Sequence, residues 1–392
     1  MARDAGKMAK LKPAPAASRR PLNAFITLTF VALSALFAYL MHVRPVLEGV
    51  PINFQAQVDA AVFDNGTPLA TRYTGIRPLD EVCRFLVVAF LAGPASWDLG
   101  VRAQQIHFFG NFFAVVCIWN VEACRRRNAE RLISFTALFA ILYQTIGAAI
   151  IMPLYYAASV YSSSGDAYYT SGREVPQSYA LTILPSAVLG YLVPTILMYL
   201  PWSSIGTTQQ LVAFWQVSFL FVNVLLFAFS FLVPVSTSPL PKKRNTADLK
   251  PLKSIYLVAA LVSAITHLGT LYTCLTSPHP QLSLRYVFVP TQTTWKDSTA
   301  QGLHYIFQWD WWGAYASSLL WCWVAAWDVQ RLEGRALGVV QLVLIACRIA
   351  VVAVLAGPGA AMAVVWSWRE ERLVGIEDED GDRGTGRKVK AG

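Results

Sequence analysis

Apolar runs about as long as a membrane is thick recur along this chain. A transmembrane helix needs ~20 mainly apolar residues. Runs of that length lie near 22–41, 104–124, 131–152, 180–200, 211–233, 254–275, 303–327 and 336–356. A shorter and more polar candidate lies near 82–97. Because lipid cannot satisfy backbone polar groups, the spans should be helical. The sequence therefore predicts an all-α, polytopic membrane helix bundle with eight or nine transmembrane helices.

Composition supports one membrane domain with polar ends. Hydrophobic residues make up 55% of the 392 residues and charged residues 14%, which is too apolar for a soluble protein of two domains. We expect a disordered basic arm over 1–20 and a disordered charged tail over 369–392, because neither segment can build a core. The transmembrane domain should occupy 21–368. Nothing in the chain indicates nucleic-acid binding; the expected partners are membrane lipids and a small lipid substrate.

Charge predicts the orientation of the bundle. Six Lys/Arg precede the first run, which indicates a cytosolic amino terminus, and that run is typical of an anchor rather than a cleaved signal. Asn65-Gly66-Thr67 is a glycosylation sequon, which suits a lumenal loop in the endoplasmic reticulum. If 82–97 crosses, Lys242-Lys243-Arg244 falls on the cytosolic side but Arg125-Arg126-Arg127 on the lumenal side. More charges favour crossing, and so nine helices.

Familiar metal and cofactor motifs do not occur in the sequence. The six cysteines lie in or beside apolar runs without a CxxC pair, which argues against disulfides and zinc. There is no DDxxD, NxxxDxxxD or DxDD pattern to hold magnesium and a diphosphate, and no P-loop, GxSxG or HExxH. We therefore expect no metal and no cofactor. Acid or acid/base chemistry remains.

Asp310 is the most informative polar residue, because it lies among aromatic rings inside the run 303–327. Trp309, Trp311, Trp312 and Tyr315 surround it in sequence. A carboxylate at membrane depth is costly and marks a functional site, and rings around it would favour the protonated acid. Ring faces also attract cations. The tryptophans could instead form an interfacial aromatic belt.

Polar residues in two other spans extend the candidate site. His107, Asn111 and Glu122 fall on nearly one face of the helix predicted at 104–124. Glu122 could equally be a plain ion-pair partner of the arginines three and four residues later. Arg348 lies near the middle of 336–356 and needs a partner. Asp310, Asp328 or an acidic group on a substrate could serve.

Three short motifs resemble one enzyme family. They are His107-Phe108-Phe109-Gly110-Asn111, Glu122-Ala123-Cys124-Arg125-Arg126-Arg127-Asn128 and Gln308-Trp309-Asp310. In these the chain resembles fungal membrane-bound terpene cyclases of the ascofuranone and macrophorin meroterpenoid type. Leu79-Asp80-Glu81-Val82 is similar to the start of the second helix in that group. Arg127 departs from the family, which often has Gly before Asn.

The resemblance implies that an acid protonates a terminal epoxide or alkene of a prenyl chain, which then cyclises through carbocations. Asp310 would be the proton donor, with Trp309, Trp311, Trp312 and Tyr315 stabilising cations. Asp80, Glu81, Glu122 and His107 would tune the acid or take the final proton, and Asn111 and Arg348 would contact substrate. The product would be a meroterpenoid or a sesquiterpenoid. The alternatives are a multi-pass transporter, whose polar stripes would line a permeation path, and a lipid-binding membrane protein without catalysis.

Overall fold

The computed structural model describes residues 18–234, 246–335 and 337–389, with side chains to residue 377. Within these ranges the chain is all-α, with isolated β-bridges but no strand. Its main helices are α1 (Asn23–Leu47), α2 (Phe54–Ala60), α3 (Arg77–Phe90), α4 (Leu99–Cys124), α5 (Thr136–Ile146), α6 (Ala148–Ser162), α7 (Ile183–Met198), α8 (Ile205–Ser230), α9 (Leu249–Thr276), α10 (Thr299–Leu332), α11 (Val339–Ala356) and α12 (Pro358–Val389).

Five helices in the described ranges are long and apolar enough to cross a membrane: α1, α4, α8, α9 and α11. Helices α5, α6 and α7 are apolar but shorter. The outward faces carry large apolar side chains, such as Leu28, Val224, Ile265 and Val354, each at least 60% exposed. A surface of this kind is stable in lipid rather than in water. The bundle is therefore membrane-associated.

The candidate span near 82–97 forms a shorter helix than a crossing requires. Helix α3 has 14 residues and ends at Phe90, followed by turns that contain Pro94. At 1.5 Å per residue it covers about 21 Å, less than the ~30 Å of a hydrocarbon core. Five spanning helices are thus supported directly, and the count of eight or nine is not.

The run at 131–152 is not one helix but two. The backbone breaks at Gly147, where φ is +118° and ψ is 141°, a conformation that side-chain-bearing residues rarely adopt. Helix α6 starts directly after it, so its first N–H groups face the interior of the bundle. This break positions the site described below.

The packed domain extends beyond both of its predicted bounds. Residues 1–17 and Lys242-Lys243-Arg244 lie outside the described residues. Arg20, assigned to the basic arm, is buried and pairs with Asp328 of α10 at 2.5 Å. At the other end, α12 continues past 368, and Arg369 and Glu370 are buried. The packed domain therefore includes residues on both sides of the predicted bounds 21–368.

Two regions inside the described bundle are important for the candidate site residues. Helix α6 lies between α1 and α10, while α12 packs on α4, α9 and α10. The first region is a cavity beside the break between α5 and α6, and the second is a buried ion cluster where α4 meets α12. The predicted site residues are distributed among the cavity, the ion cluster, buried contacts between helices and the surface.

Candidate active site

A cavity of about 340 Å³ lies among helices α1 to α8 and α10. Its wall is mainly apolar and rich in aromatic rings. The rings come from Phe54, Phe85, Phe90, Phe108, Phe109, Phe112, Tyr143, Tyr191, Trp215, Phe219 and Phe307. The volume lies in the range of small-molecule sites, which are mostly apolar with few polar groups. The cavity therefore suits a greasy ligand.

Asp310 is the one carboxyl among the described residues that line this cavity. It is buried, and its Oδ1 accepts a hydrogen bond of 2.6 Å from the backbone N–H of Ala149, in the first turn of α6. In the described part of the chain Asp310 forms no ion pair, and Oδ2 makes no hydrogen bond. One oxygen is thus held by the protein and the other is available to a ligand.

Gly147 makes this arrangement possible. A Cβ placed there would lie 2.7 Å from Met41 Cε and 3.4 Å from Asp310 Oδ1. The absence of a side chain lets α1 and α10 approach the start of α6, so that the N–H of Ala149 reaches the carboxyl. The break in the apolar run is therefore a positioning element for Asp310.

Helical periodicity explains which α10 residues reach the cavity. Leu303, Ile306, Phe307 and Asp310 line it at spacings of i, i+3, i+4 and i+7, which is one helix face. The neighbours of Asp310 in sequence are turned by about 100° per residue at 3.6 residues per turn, and so point elsewhere.

The four aromatic residues predicted around Asp310 therefore do not line the cavity. Trp311 Nε1 donates to His107 Nδ1 at 3.0 Å, and Tyr315 donates to the carbonyl oxygen of Phe108 at 2.5 Å. Trp312 is 44% exposed, and its Nε1 donates to the carbonyl oxygen of Phe288. Trp309 packs near Phe37 of α1. Adjacency in sequence suggested rings that helical geometry turns away.

Apart from Phe307 on α10, the cavity rings belong to other helices and were missed. Phe108, Phe109 and Phe112 line the cavity from α4. Two of them lie in the His107–Asn111 motif and the third directly follows it, and this motif was the one sequence signal for these rings. Nothing local marks Phe90, Trp215 or the other rings, because their meeting depends on tertiary packing.

His107 belongs to a hydrogen-bonded chain beside the cavity. Trp311 donates to Nδ1 of His107, so Nε2 carries the hydrogen of the neutral ring and donates to His267 Nδ1 at 2.8 Å. Nε2 of His267 then donates to the carbonyl oxygen of Val354. Each ring nitrogen has a partner, which is typical of a structural link between helices.

Asn111 joins three helices rather than facing the cavity. Its side-chain oxygen accepts from Ser263 and from the N–H of Gly359 at 3.0 Å, and its amide donates to the carbonyl oxygen of His107 at 2.8 Å. These bonds link α4 with α9 and α12. Hydrogen-bonding amides commonly stabilise helix contacts in membranes.

Glu122 lies in the buried ion cluster, away from the cavity wall. Its Oε1 accepts from Arg125 Nε, Trp366 Nε1 and Arg369 Nη1, each at 2.9 Å. Arg125 also pairs with Glu370. The plain alternative for Glu122, an ion pair with the following arginine, is present. The sequence could not indicate Arg369 and Glu370, because they lie almost 250 residues away.

Asp80 and Glu81 lie at the start of α3, outside the cavity lining. Asp80 Oδ1 accepts from the backbone N–H groups of Thr74 at 2.6 Å and Tyr73 at 3.0 Å, which closes the loop before α3. Glu81 pairs with Arg77 at 3.1 Å on the surface. Asp80 therefore has a local structural role, and neither residue lies beside Asp310 on the cavity wall.

Arg348 and Asn65 are both exposed. Arg348 lies on α11, outside the cavity lining, and forms no hydrogen bond or ion pair with any described residue. Neither proposed partner is available to it, because Asp328 pairs with Arg20 and Asp310 faces the cavity. Asn65 lies in a turn, where Oδ1 accepts from the N–H of Thr67 at 3.0 Å.

A carboxyl with no cationic partner among the described residues lies on the wall of a ring-rich cavity inside an apolar helix bundle, which is typical of a membrane enzyme with an apolar ligand. Comparison with known proteins identifies the family, since the CtvD domain model matches residues 26–374. The chain belongs to the CtvD family. No solved structure matches it.

Two relatives that cover most of this chain are named for the same activity. Terpene cyclase ctvD of Aspergillus terreus is 28% identical over 307 residues, which cover 76% of this chain and 85% of that protein. Terpene cyclase ascI of Acremonium egyptiacum is 25% identical, covering 91% and 94%. The chain is accordingly a terpene cyclase of fungal secondary metabolism, rather than a transporter or a lipid-binding protein without catalysis.

A third relative is larger. FAD-dependent monooxygenase verC1 of Penicillium polonicum is 26% identical over 319 residues, which cover 80% of this chain but only 38% of that protein. The cyclase-like region is therefore one part of a longer chain in that relative.

Proposed function

We propose that this chain cyclises a prenyl chain by protonating its terminal epoxide or alkene, without a metal, and that Asp310 is the proton donor. The observation that carries the proposal is the position of Asp310. It is the carboxyl on an aromatic cavity wall, it has no cation beside it among the described residues, and one oxygen is free to meet a ligand.

The walls suit the cations that follow protonation. Ring faces attract positive charge, and apolar walls keep water away from the reacting carbons. Phe108, Phe109, Phe307 and Trp215 line the cavity and would have the cation-stabilising role that the sequence analysis gave to Trp309, Trp311, Trp312 and Tyr315. A flexible prenyl chain folded against such walls can close rings in a defined order, because the cavity restricts its conformations.

The proton balance is that of an isomerisation. The Asp310 carboxyl gives its proton to the epoxide oxygen or the alkene carbon, and the electron pairs of successive double bonds form the new carbon–carbon bonds. The last cation loses a proton, or an internal hydroxyl captures it and then loses one. Substrate and product therefore have equal mass, and the enzyme ends with the protons it began with.

Epoxide initiation has support from the verC1 relative. A flavin monooxygenase can turn an alkene into an epoxide, and that protein is named as one. The sequence of this chain, which has no acidic diphosphate-binding motif, also favours protonation over ionisation of a diphosphate. The proposed substrate is a prenylated lipid with a terminal epoxide.

We also propose an endoplasmic-reticulum protein with a cytosolic amino terminus and eight or nine crossings. The support comes from the positive charge before α1, the exposed sequon at Asn65 and the apolar surface of the bundle. Helices α5 and α6, joined at Gly147, together could complete one crossing that neither makes alone.

The test uses microsomes that contain the chain and a farnesylated phenol with a terminal epoxide, with and without a metal chelator. We expect a cyclised product of the same mass in both samples, resolved from substrate by chromatography. Loss of product in the chelated sample, restored by added magnesium, would contradict metal independence. An absence of product above control microsomes would contradict the activity on this substrate.

A further inference from the structure

A second ionisable side chain, His42, lines the cavity that contains Asp310. It lies on α1 where the helix widens into a π-helical turn over Tyr39–Val43. Such turns are frequent at functional sites. Its Nε2 is 2.7 Å from the carbonyl oxygen of Ile146, and part of the ring is exposed. His42 thus touches both the cavity and the outside.

The hydrogen bond to Ile146 determines which nitrogen can act as a base. A carbonyl oxygen only accepts, so Nε2 carries the hydrogen of the neutral imidazole and the free lone pair is on Nδ1. No described residue is hydrogen-bonded to Nδ1. The imidazole is therefore held in the form that accepts a proton at a nitrogen left unoccupied by the protein.

Backbone groups on the two sides of the break at Gly147 form hydrogen bonds with His42 and Asp310. The carbonyl oxygen of Ile146, before the break, accepts from His42. The N–H of Ala149, after the break, donates to Asp310. One backbone feature thus fixes a proton donor and a proton acceptor at the same end of one cavity.

The other polar groups on the wall are weaker bases, and several are already engaged. Gln144 is hydrogen-bonded to Gln216, and Ser218 donates to the carbonyl oxygen of Trp215. The hydroxyl of Tyr143 makes no hydrogen bond among the described residues, but a neutral phenol binds a proton poorly. Among the described residues that line the cavity, His42 is the imidazole, and it offers a lone pair that an amide nitrogen, a hydroxyl or a phenol does not match as a base.

We propose that Nδ1 of His42 is the base that ends the cyclisation, an inference that rests on the proposed function. The carbon beside the final cation loses a proton to Nδ1, and the electron pair of that carbon–hydrogen bond becomes the new double bond. When an internal hydroxyl captures the cation instead, Nδ1 takes the proton from the oxygen. The imidazolium then releases this proton through its exposed side, while the Asp310 carboxylate is protonated again.

The experiment compares wild type with His42→Gln and His42→Gly. Glutamine keeps an N–H for the carbonyl oxygen of Ile146 but has no basic nitrogen. We expect turnover to fall at least ~10²-fold, the lower end of general-base effects, with a new distribution of alkene isomers or water-quenched alcohols. Added imidazole should restore rate and product ratio in His42→Gly. His279→Gln, on an exposed loop, is the matched control and should match wild type.

The outcomes separate this inference from the proposed function. Wild-type rate and product ratio in His42→Gln would overturn the role of His42, and so would a slower variant with an unchanged product ratio and no imidazole rescue. In either case, wild-type activity that disappears in Asp310→Asn would leave the proposed function intact. If His42→Gln does not accumulate, the imidazole response of His42→Gly decides.

Discussion

The substitution Glu122→Gln separates a structural carboxylate from a catalytic one. In the structure Oε1 of Glu122 accepts from Arg125, Trp366 and Arg369, all at 2.9 Å. Glutamine keeps an acceptor oxygen but removes the charge and adds an N–H group facing two guanidinium groups. We therefore expect a loss of stability rather than a specific loss of chemistry.

The expected magnitude follows from the partners that remain. Arg125 retains Glu370, but Arg369 has no other carboxylate in an ion pair within the described residues. Breaking a buried pair typically costs ~3–5 kcal/mol. Since the amide still accepts hydrogen bonds, we expect about 3 kcal/mol, the lower end of that range. The midpoint of thermal unfolding should fall by roughly 5 °C or more.

The assay measures unfolding in detergent and activity per folded molecule on the same preparations. Glu48→Gln is the matched control, because Glu48 forms an exposed pair with Lys296 at 2.8 Å and should leave the midpoint unchanged. A Glu122→Gln variant that unfolds like wild type but has lost its turnover would contradict a structural role for Glu122. That result would make Glu122, and not Asp310, the acid.

Three further predictions follow from the positions of single residues. Gly147→Ala should lower turnover, because the added Cβ approaches Asp310, and should destabilise the fold by ~1–3 kcal/mol, because the backbone angle disfavours alanine. Turnover and thermal unfolding are measured on the same preparation. Unchanged turnover would contradict this prediction. Arg348→Leu should leave the detergent unfolding midpoint unchanged, because Arg348 is exposed and has no described partner; a large drop would reveal a buried carboxylate partner. Asn65 should carry a glycan removable by endoglycosidase, with an amino-terminal tag open to protease in intact microsomes. A tag beside Lys243 should also be open if 82–97 crosses, and protection of that tag alone would show that the segment enters without crossing.

The helical spans and the importance of Asp310 could be predicted from the sequence. Apolar runs predicted helices, because lipid leaves few other options for the backbone. The position of Asp310 inside a run made it a candidate site residue, because a carboxylate there needs a reason, and Asp310 does line the cavity. Both inferences use the cost of placing a group in lipid, which requires no knowledge of neighbours.

The parts that were missed depend on neighbours distant in sequence. Gly147 lies in an apolar run whose pattern predicts one continuous helix. A single glycine within such a run does not show that the helix breaks there. The rings beside Asp310 in sequence point away, whereas Trp215 and Phe108 come from other helices. Glu122 finds Arg369 almost 250 residues later. These contacts follow from packing, which local periodicity does not encode.

The most direct test of the account is the turnover of Asp310→Asn in microsomes with an epoxidised prenyl substrate. Asparagine keeps the volume and an acceptor for the N–H of Ala149 but cannot donate the proton. The matched control is Asp59→Asn at an exposed position, where Asp59 accepts from Gln55. We expect turnover to fall at least ~10²-fold, as for a lost general acid, at wild-type protein level and with the control unaffected. Wild-type turnover in Asp310→Asn would show that the proton comes from another group.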